Sequence, residues 1–339
     1  MMAMRWIHAN GSREDVRELR DILAADMQVK IAAGAEMVDN SWSVTLPESV
    51  WNAAPVEIGH YIYSPGCEWG GPVTLVTHST GDKTVTLQGP TWRGLLFRKL
   101  IYPAAGEDYY EITDADANAA LATLIGSRFG SLMAVSSTVA GVTVSGRWRY
   151  ATLAEAIDGM FRAYNLRLAI AYDDANGRVV LSAAGVSSLA DMEVSQDYGV
   201  DFTSSIGNTT PANHAVVIWS GEDASGVTHV YWTEDGYTTT QPAGWTEAEN
   251  REVRVDCQST EAQEILKAGI DALQAAADAH SVSIDQLRLD MSAELGDHLA
   301  IRDRVTGLTA EAVITNKILT IQGGQTAIQM DVDTVTEEA

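Results

Sequence analysis

Cysteine is nearly absent from this chain, since Cys67 and Cys257 are the only two among 339 residues. Two isolated thiols cannot form a disulfide framework, and neither has the spacing of a zinc-ligand pair. We therefore expect two buried or half-buried thiols in a protein that folds in a reducing cytoplasm. Residues 1–10 contain one Arg and no continuous apolar core, so we expect no signal peptide there. Apolar runs of the roughly 20 residues that a membrane span needs are also missing.

Basic residues are scarce as well. The chain has 22 Lys and Arg residues against 46 Asp and Glu residues, for a formal net charge of −24. This argues against a protein that wraps nucleic acid, because phosphate contacts need cationic side chains. Residues 179–250 contain no Lys or Arg, which predicts either a solvated surface or an acidic wall that repels nucleic acid. The ten acids of this segment are Asp191, Glu193, Asp197, Asp201, Glu222, Asp223, Glu234, Asp235, Glu247 and Glu249.

Sequence signatures of catalytic and metal sites are missing too. No histidines occur in the zinc-binding patterns HxH or HExxH. The chain also has no GxSxG nucleophile elbow and no phosphate-binding loop of the form GxxxxGK followed by Ser or Thr. Gly70-Gly71 and Gly323-Gly324 are typical of turns or bulges instead. We therefore predict no catalytic residue, no cofactor, no metal site and no enzyme activity. The seven histidines are His8, His60, His78, His214, His229, His280 and His298.

Two alternative functions rest on the acids and the tryptophans. Glu222 and Asp235, flanked by Trp219 and Trp232, could form the carboxylate pair of an enzyme that cuts cell-wall glycan. The plainer interpretation is that acids in an acidic, Gly-rich region are solvated. The tryptophans of residues 219–245 also leave open a module that binds a host glycan or another protein, although tryptophans are more often core and interface residues.

Residues 57–103 organise the fold prediction. Three short runs alternate like half-buried strands, and turns rich in Gly and Pro separate them. The spacing then changes to that of a short helix, which has Trp92 and Leu96 on one face and ends before Pro103. This predicts a three-stranded antiparallel unit with a helix across one end. The strand-like runs are residues 61–63, 73–76 and 84–87.

A second stretch repeats this layout near the end of the chain. Glu294-Leu295-Gly296-Asp297 resembles Glu57-Ile58-Gly59-His60, and a strand-like run follows each of them. Two small β-barrels built on one plan would explain the repetition, whereas the alternative is that any two β-meanders look alike. The alignment places residues 313–315 on residues 73–75, and residues 326–330 on residues 84–87.

Helical spacing and capping residues predict the helices. Asn176-Gly177 is the strongest hairpin signal and lies between the strand-like residues 166–172 and 178–182. The longest helix has an apolar stripe along one side. The predicted helices are residues 14–27, with Ser12 as N-cap; residues 113–126, opened by Thr113; a helix with a capping box of Thr152 and Glu155; and residues 260–279, opened by Thr260 with Gln263.

These elements predict a fold of the α+β class that is mainly β. A chain of 339 residues is too long for one compact core, so we expect several domains. Residues 1–103 form a first antiparallel β-barrel domain with an N-terminal helix. Residues 104–191 form an α+β insertion domain, and residues 192–339 form a second β domain that contains the long helix 260–279.

Several short motifs follow one another in an order that matches a known family. This order resembles the baseplate-hub, or tail-tip hub, proteins of bacteriophages with long non-contractile tails. Trp42 and Trp69 stand where many members have Phe and Tyr, so the aromatic character is kept. The motifs are the strand 26–31, Asn40-Ser41-Trp42, residues 68–73, residues 86–89, residues 92–96, residues 99–103, residues 213–216 followed by Gly221, and Leu295-Gly296-Asp297 followed by residues 312–315.

The resemblance implies a structural virion protein that is made in the host cytoplasm and located at the tail tip. It implies a homotrimer in which each subunit contributes two tail-tube-like β domains to a pseudo-sixfold ring. Expected partners are the distal tail protein, the tail tube, the tape-measure protein, and tip or fibre proteins further on. DNA would pass through during ejection without specific binding, and an acidic wall suits that passage. A tail-associated cell-wall-degrading enzyme or host-glycan-binding tail module is the alternative.

Overall fold

The computed structural model describes residues 4–32, 39–194, 201–204, 212–221, 224–233, 236–243, 245, 250–277, 282–286, 293–302 and 309–335. The chain is mainly β with a few short helices, as predicted. It divides into two compact units. The first comprises Met1–Asp201, Ile284–Arg302 and Thr309–Val335, and the second comprises Phe202–Ser283, Asp303–Leu308 and Thr336–Ala339. The predicted domain boundaries at residues 103 and 191 stay a prediction.

The strands carry most of the structure. In chain order they are β1 (Trp6–Ala9), β2 (Asp15–Leu19), β3 (Ala24–Lys30), β4 (Ser41–Pro47), β5 (Tyr61–Tyr63), β6 (Gly70–Pro72), β7 (Leu75–Ser79), β8 (Thr84–Pro90), β9 (Leu100–Ile101), β10 (Tyr110–Asp116), β11 (Met133–Val135), β12 (Thr143–Trp148), β13 (Ala151–Thr152), β14 (Leu166–Asp173), β15 (Arg178–Gly185), β16 (Ser188–Val194), β17 (Asp201–Ser204), β18 (His214–Ser220), β19 (Ser225–Thr233), β20 (Gly236–Thr238), β21 (Glu252–Cys257), β22 (Val282–Gln286), β23 (His298–Arg302), β24 (Thr309–Gln322) and β25 (Gln325–Val335).

The helices are short, and their caps explain where they begin. The predicted capping box is confirmed, because the Thr152 hydroxyl accepts from the Glu155 N–H at 3.2 Å and the Glu155 carboxylate accepts from the Thr152 N–H at 2.7 Å. Asp116, not Thr113, caps the preceding helix, because residues 110–116 form a strand. The helices are α1 (Glu48–Ala53), α2 (Trp92–Leu96), α3 (Ala117–Ile125), α4 (Leu153–Arg162) and α5 (Ala262–Ala277).

One large sheet organises the first unit. Its strand order is β16-β23-β24-β3-β4-β8-β7, and β25 pairs with the opposite edge of β24. These pairings are antiparallel, apart from the parallel pair β16–β23. A second sheet has the order β2-β1-β5-β6.

The described strands do not close into the predicted barrels. No pairing among them joins β7 to β25 or to β16, so the large sheet is open. Closing a sheet into a barrel requires strands that tilt and stagger so that the strands at its two edges pair with each other. Among the described strands, β7, β16 and β25 each pair on one side only, which leaves an edge of each available to other strands.

The predicted helix over residues 14–27 is wrong, because these residues form β2 and β3. Val16 and Leu23 lie three to four residues from other apolar positions, which fits a helical period, but each is 46% exposed. Ala25, Met27 and Val29 alternate with half-buried or exposed neighbours and are buried. The alternation matches a strand that one sheet face buries, and pairing with β24 and β4 decides the outcome.

The middle of the chain packs into the first unit as an α+β layer. The predicted hairpin is confirmed as β14 and β15, which pair antiparallel from Leu166–Gly185 to Asp173–Arg178. Helices α3 and α4 bury their apolar faces in the same core as α2, through residues such as Leu121, Leu153 and Phe161. Because α2 contributes Trp92 and Leu96 to this core, the helix joins the middle layer to the sheet.

The second unit is a four-stranded sheet of order β20-β19-β18-β21. Helix α5 packs on it through Ile265 and Leu273, which join Ala215, Val217 and Val230 in a small core. The predicted helix over residues 260–279 is thus confirmed over Ala262–Ala277, and residues 278 and 279 lie outside the described residues. Of the helices in the described ranges, none has the length and apolar character that a membrane crossing requires.

Candidate assembly site

The first of the two similar sequence stretches, residues 57–60, forms a tight turn. The backbone N–H of His60 donates to the carbonyl of Glu57 at 3.1 Å, and Gly59 has φ +90°. The N–H of Gly59 donates to the carbonyl of Val73 at 2.9 Å, and the N–H of Val73 donates back to the carbonyl of His60 at 2.8 Å. Glycine has no Cβ and adopts this left-handed conformation without steric strain, which explains why it occurs here.

The second stretch, residues 294–297, forms the same turn bond for bond. The N–H of Asp297 donates to the carbonyl of Glu294 at 3.0 Å, and Gly296 also has φ +90°. The N–H of Gly296 donates to the carbonyl of Ile314 at 2.8 Å, and the N–H of Ile314 donates back to the carbonyl of Asp297 at 3.0 Å. The two stretches are therefore copies of one structural unit, and both lie in the first unit of the chain.

The predicted alignment of the two copies was one residue out of register. It placed Val313 on Val73, whereas the hydrogen bonds equate Ile314 with Val73. The strand pairs agree, because Tyr61 lies opposite Pro72 in the first copy and His298 lies opposite Val313 in the second. Pattern alone could not fix the register, since both neighbours are β-branched.

The two copies meet in the large sheet. Strand β24 belongs to the second copy, and it pairs antiparallel with β3 from Asn316–Lys30 to Gln322–Ala24. By the order of strands after each turn, β24 corresponds to β6 and β7 of the first copy. Within the described residues, the far edge of β7 has no partner strand. The first copy thus leaves open the edge that the second copy fills with β3.

His60, the fourth residue of the first turn, forms a pair with His8. His8 Nε2 lies 2.9 Å from His60 Nδ1, and the rings stack with centroids 5.1 Å apart. The backbone N–H of Glu57 also donates to His60 Nδ1 at 3.3 Å. Burial lowers the pKa of His8 from 6.5 to about 4, and the nearby His60 and Arg17 act in the same direction. His8 is therefore neutral at pH 7.

At the second turn, a buried aspartate takes the same position. The Asp297 carboxylate accepts from the backbone N–H groups of Ser187 and Glu294, both at 2.9 Å, and lies 3.1 Å from Arg167 Nε. Lys317 in turn contacts the Glu294 carboxylate at 2.7 Å. These bonds attach the second copy to the middle layer, because Arg167 and Ser187 follow helix α4.

A buried arginine attaches the first copy to the same layer. Arg93 is 1% exposed, and its Nε donates to Glu68 at 2.7 Å while its Nη2 donates to the carbonyl of Leu168 at 3.0 Å. Asp158 of α4 lies 3.5 Å from Arg93 Nη1 and accepts from the N–H of Ala32 at 2.7 Å. The middle layer is thus bonded to both copies, which fixes their relative position.

Burial sets the ionisation of this charged cluster. Burial alone would lower the pKa of Arg93, but the carboxylates of Glu68 and Asp158 more than offset it, so the pKa lies above its ordinary value. Burial raises the pKa of Asp158, while the Arg93 guanidinium and the Ala32 N–H act against this. A charge in such a place is costly unless it is paired and hydrogen-bonded.

The alternative carboxylate pair finds no support among its neighbours. Glu222 and Asp235 lie outside the described residues. Trp219 lies opposite Gly226 near one end of the β18–β19 pair, whereas the N–H of Trp232 bonds to Asn213 at the other end. At about 3.4 Å a residue, the two tryptophans lie roughly 20 Å apart along the strands.

The acidic segment is only partly described. Backbone is described for three of its acids, in β16 and β17, and the other seven lie outside the described residues. The two cysteines are free and half-buried, as predicted. The acids with described backbone are Asp191, Glu193 and Asp201.

The charged residues that bond the middle layer to the two copies were not predicted as partners of one another. A usable signal was present for Arg93, because a cation in the apolar run Trp92-Arg93-Gly94-Leu95-Leu96 must find a buried partner. Asp297 belongs to the repeated stretch 294–297, but no local signal indicated its partner Arg167 or the role of Asp158, since these partners are distant in sequence.

No family model matches the chain, and no curated protein matches it. Solved structures give a clearer result. A 43 kDa tail protein of prophage MuSo2 from Shewanella oneidensis has a TM-score of 0.50 and 12% identity, over 97% of this chain and 98% of that one. This likeness shows the fold, and it confirms the predicted resemblance to phage tail proteins.

Two other tail proteins also match, with lower TM-scores. The prophage tail protein gp18 from Listeria monocytogenes EGD-e is 12% identical over 99% of this chain and 95% of that one, with a TM-score of 0.49. The tail protein from Neisseria meningitidis MC58 is 12% identical over 98% of this chain and 96% of that one, with a TM-score of 0.46.

Proposed function

We propose that this protein is a structural component of a bacteriophage tail and forms a trimeric hub at the tip of the tail tube. The observation that carries the proposal is the pair of matching turns at residues 57–60 and 294–297, which makes one chain a covalent pair of similar β units. Three such chains supply six similar units. A ring of this kind can continue a sixfold tube with only three subunits.

The contact between the two copies within one chain suggests how neighbouring chains contact each other. Strand β24 of the second copy is covered by β3, whereas its counterpart β7 has no partner on its far edge among the described strands. If neighbouring chains repeat this kind of contact, the far edge of β7 in one chain pairs with the edge of a strand in a second chain. Main-chain hydrogen bonds between such edges join subunits without requiring a large apolar interface.

The proposed ring would form part of the genome ejection channel. Its partners would be the distal tail protein, the tail tube, the tape-measure protein and the tip or fibre proteins. The excess of 46 acids over 22 bases supports a channel wall that repels DNA, because binding needs cations that displace counterions. The roughly 20 Å between Trp219 and Trp232 gives a cell-wall enzyme or glycan-binding module less support.

A substitution in β7 tests the edge pairing. Leu75 is 50% exposed, so Leu75→Lys should leave the fold intact while the charge blocks strand addition. We expect tails assembled with this variant to lack the protein or to fail to form. Val139→Lys is the matched control, because Val139 is 76% exposed and lies outside the sheet edge. Normal incorporation of Leu75→Lys would rule out pairing through β7.

A reconstruction of the tail particle tests the stoichiometry separately. We expect three copies of the chain in one ring, with the two β units of each chain at alternating positions. Six copies or a single copy at this position would contradict the proposal. Incubating the purified protein with peptidoglycan and finding released fragments would favour the enzyme instead.

A further inference from the structure

A cavity of about 370 Å³ opens beside the turn that connects α4 to β14 in the first unit. This volume lies in the range of small-molecule sites, roughly 300–1,000 Å³. Its walls are mostly apolar, and its polar lining includes Arg162, Asn165 and Arg167. The apolar lining includes Ile31, Phe161, Leu166, Leu168, Leu295 and Val313.

The turn places three side chains with hydrogen-bond donors at the cavity. Arg162 ends α4, Asn165 follows with φ +53°, and Arg167 is the second residue of β14. The N–H of Asn165 bonds to the carbonyl of Arg162 at 3.2 Å, which holds the turn closed. Among the described residues, the Arg162 guanidinium and the Asn165 side-chain amide have no hydrogen bond or ion pair, and neither do the two terminal nitrogens of Arg167.

The nearby carboxylates offset part of the charge of these donors, because Arg167 Nε lies 3.1 Å from Asp297 and Arg162 interacts electrostatically with Asp158. Asp158 is engaged by Arg93 and the N–H of Ala32, and Asp297 is engaged by two backbone N–H groups and Arg167 Nε. Three arginines and one aspartate line the cavity, in a chain whose net charge is −24. Arg93 and Arg167 are each paired with carboxylates, so Arg162 is the arginine of this lining that has no ion pair among the described residues.

We propose that this cavity binds a small organic carboxylate with an apolar body. The carboxylate accepts from the Arg162 and Arg167 guanidinium groups, whose planar donors match its two oxygens, and from the Asn165 amide. The apolar body lies against Phe161, Leu168 and Val313. Inorganic phosphate fits the donors but leaves the apolar walls without contact, so affinity requires both halves of the ligand.

Binding of octanoate to the full-length protein tests this site by calorimetry. We expect octanoate to bind, and we expect octanamide and inorganic phosphate to bind at least tenfold more weakly. Arg162→Gln should weaken octanoate binding about tenfold. This variant should still fold, because Arg162 is exposed and its side chain makes no hydrogen bond or ion pair among the described residues. Arg149→Gln makes the same charge change outside the cavity and should bind octanoate like the wild type.

Several results would overturn the proposal. Equal binding of octanoate and octanamide would show that the cavity recognises only the apolar chain. Equal binding of octanoate and phosphate would show that it recognises only the anion. Unchanged binding in Arg162→Gln, or no octanoate binding at millimolar concentration, would remove it altogether. The melting temperature of each unliganded variant serves as the check on folding.

Discussion

At the residue scale, Trp92 holds the sheet and the middle layer together. It is fully buried, and its ring lies 5.4 Å from that of Tyr172 and 6.0 Å from that of Tyr61. Trp92→Ala should cost about 3–5 kcal/mol in the free energy of unfolding, the usual penalty for truncating a buried aromatic residue. Chemical denaturation measures it, with Trp232→Ala as control because Trp232 is 36% exposed. A cost below about 1 kcal/mol would contradict this packing.

Gly71 is required by a close approach of two strands, not by a turn. A Cβ at this position would fall on the carbonyl oxygen of Pro90, which also accepts from Trp42 Nε1 at 3.0 Å. Gly71→Ala should therefore destabilise the protein by about 1–3 kcal/mol, as overpacking does. Gly81→Ala is the control, since no atom lies within 4 Å of its Cβ. Equal melting temperatures for the two variants would refute the close approach.

The pKa of His8 predicts a pH dependence of stability. Because the native pKa is about 4 and the ordinary value is 6.5, the unfolded chain binds a proton between these values and the native protein does not. Stability should fall as the pH drops from 6.5 towards 4. In His8→Gln, the slope of the unfolding free energy against pH should be smaller over this interval than in the wild type, and an unchanged slope would contradict the lowered pKa of His8.

At the element scale, the two turns share a backbone but differ in what their fourth side chain holds. Removing the Asp297 carboxylate leaves two backbone N–H groups without their acceptor and Arg167 without its ion-pair partner. Removing the His60 ring loses one N–H bond at 3.3 Å and the 2.9 Å contact with the neutral His8. Asp297→Ala should cost about 3 kcal/mol, and His60→Ala about 1 kcal/mol. Urea unfolding of both variants measures the difference. Equal costs would mean that the second turn does not depend on its ion pair.

Turn glycines also differ between elements. Gly323 and Gly324 form the predicted two-residue turn between β24 and β25, with φ +59° and +77°. Such a turn requires positive φ at both central residues, which explains Gly-Gly. Gly70 and Gly71 lie in strand β6 instead, so their interpretation as turn or bulge glycines does not hold. The same dipeptide thus meets two different structural demands.

At the scale of the whole molecule, the charge imbalance leads to a prediction about ejection. If the acids of residues 179–250 contribute to the channel wall, three copies superpose their fields in a narrow space. Replacing several of them by Lys should leave tail assembly unchanged and slow the release of DNA. Single-particle ejection assays measure this rate. Normal ejection by assembled, charge-reversed particles would leave the acids a role in solubility only.

The sequence by itself determined the elements whose signals are local. The capping box at Thr152 and Glu155, the Asn176-Gly177 hairpin and the long helix all depend on residues a few positions apart. The sequence also showed the repetition of the two turns, because each turn requires glycine at its left-handed position. These features follow from backbone geometry and hydrogen bonds between near neighbours.

Only the tertiary structure decided the rest. Residues 14–27 have a helical spacing, yet residues 15–19 form β2, which pairs with β1, and residues 24–27 belong to β3, which pairs with β24 and β4. The register of the second copy, the burial of Arg93 between Glu68 and Asp158, and the open edge of β7 depend on partners far apart in the chain. Pairing across such distances is a property of the assembled sheet, so no window of sequence contains it.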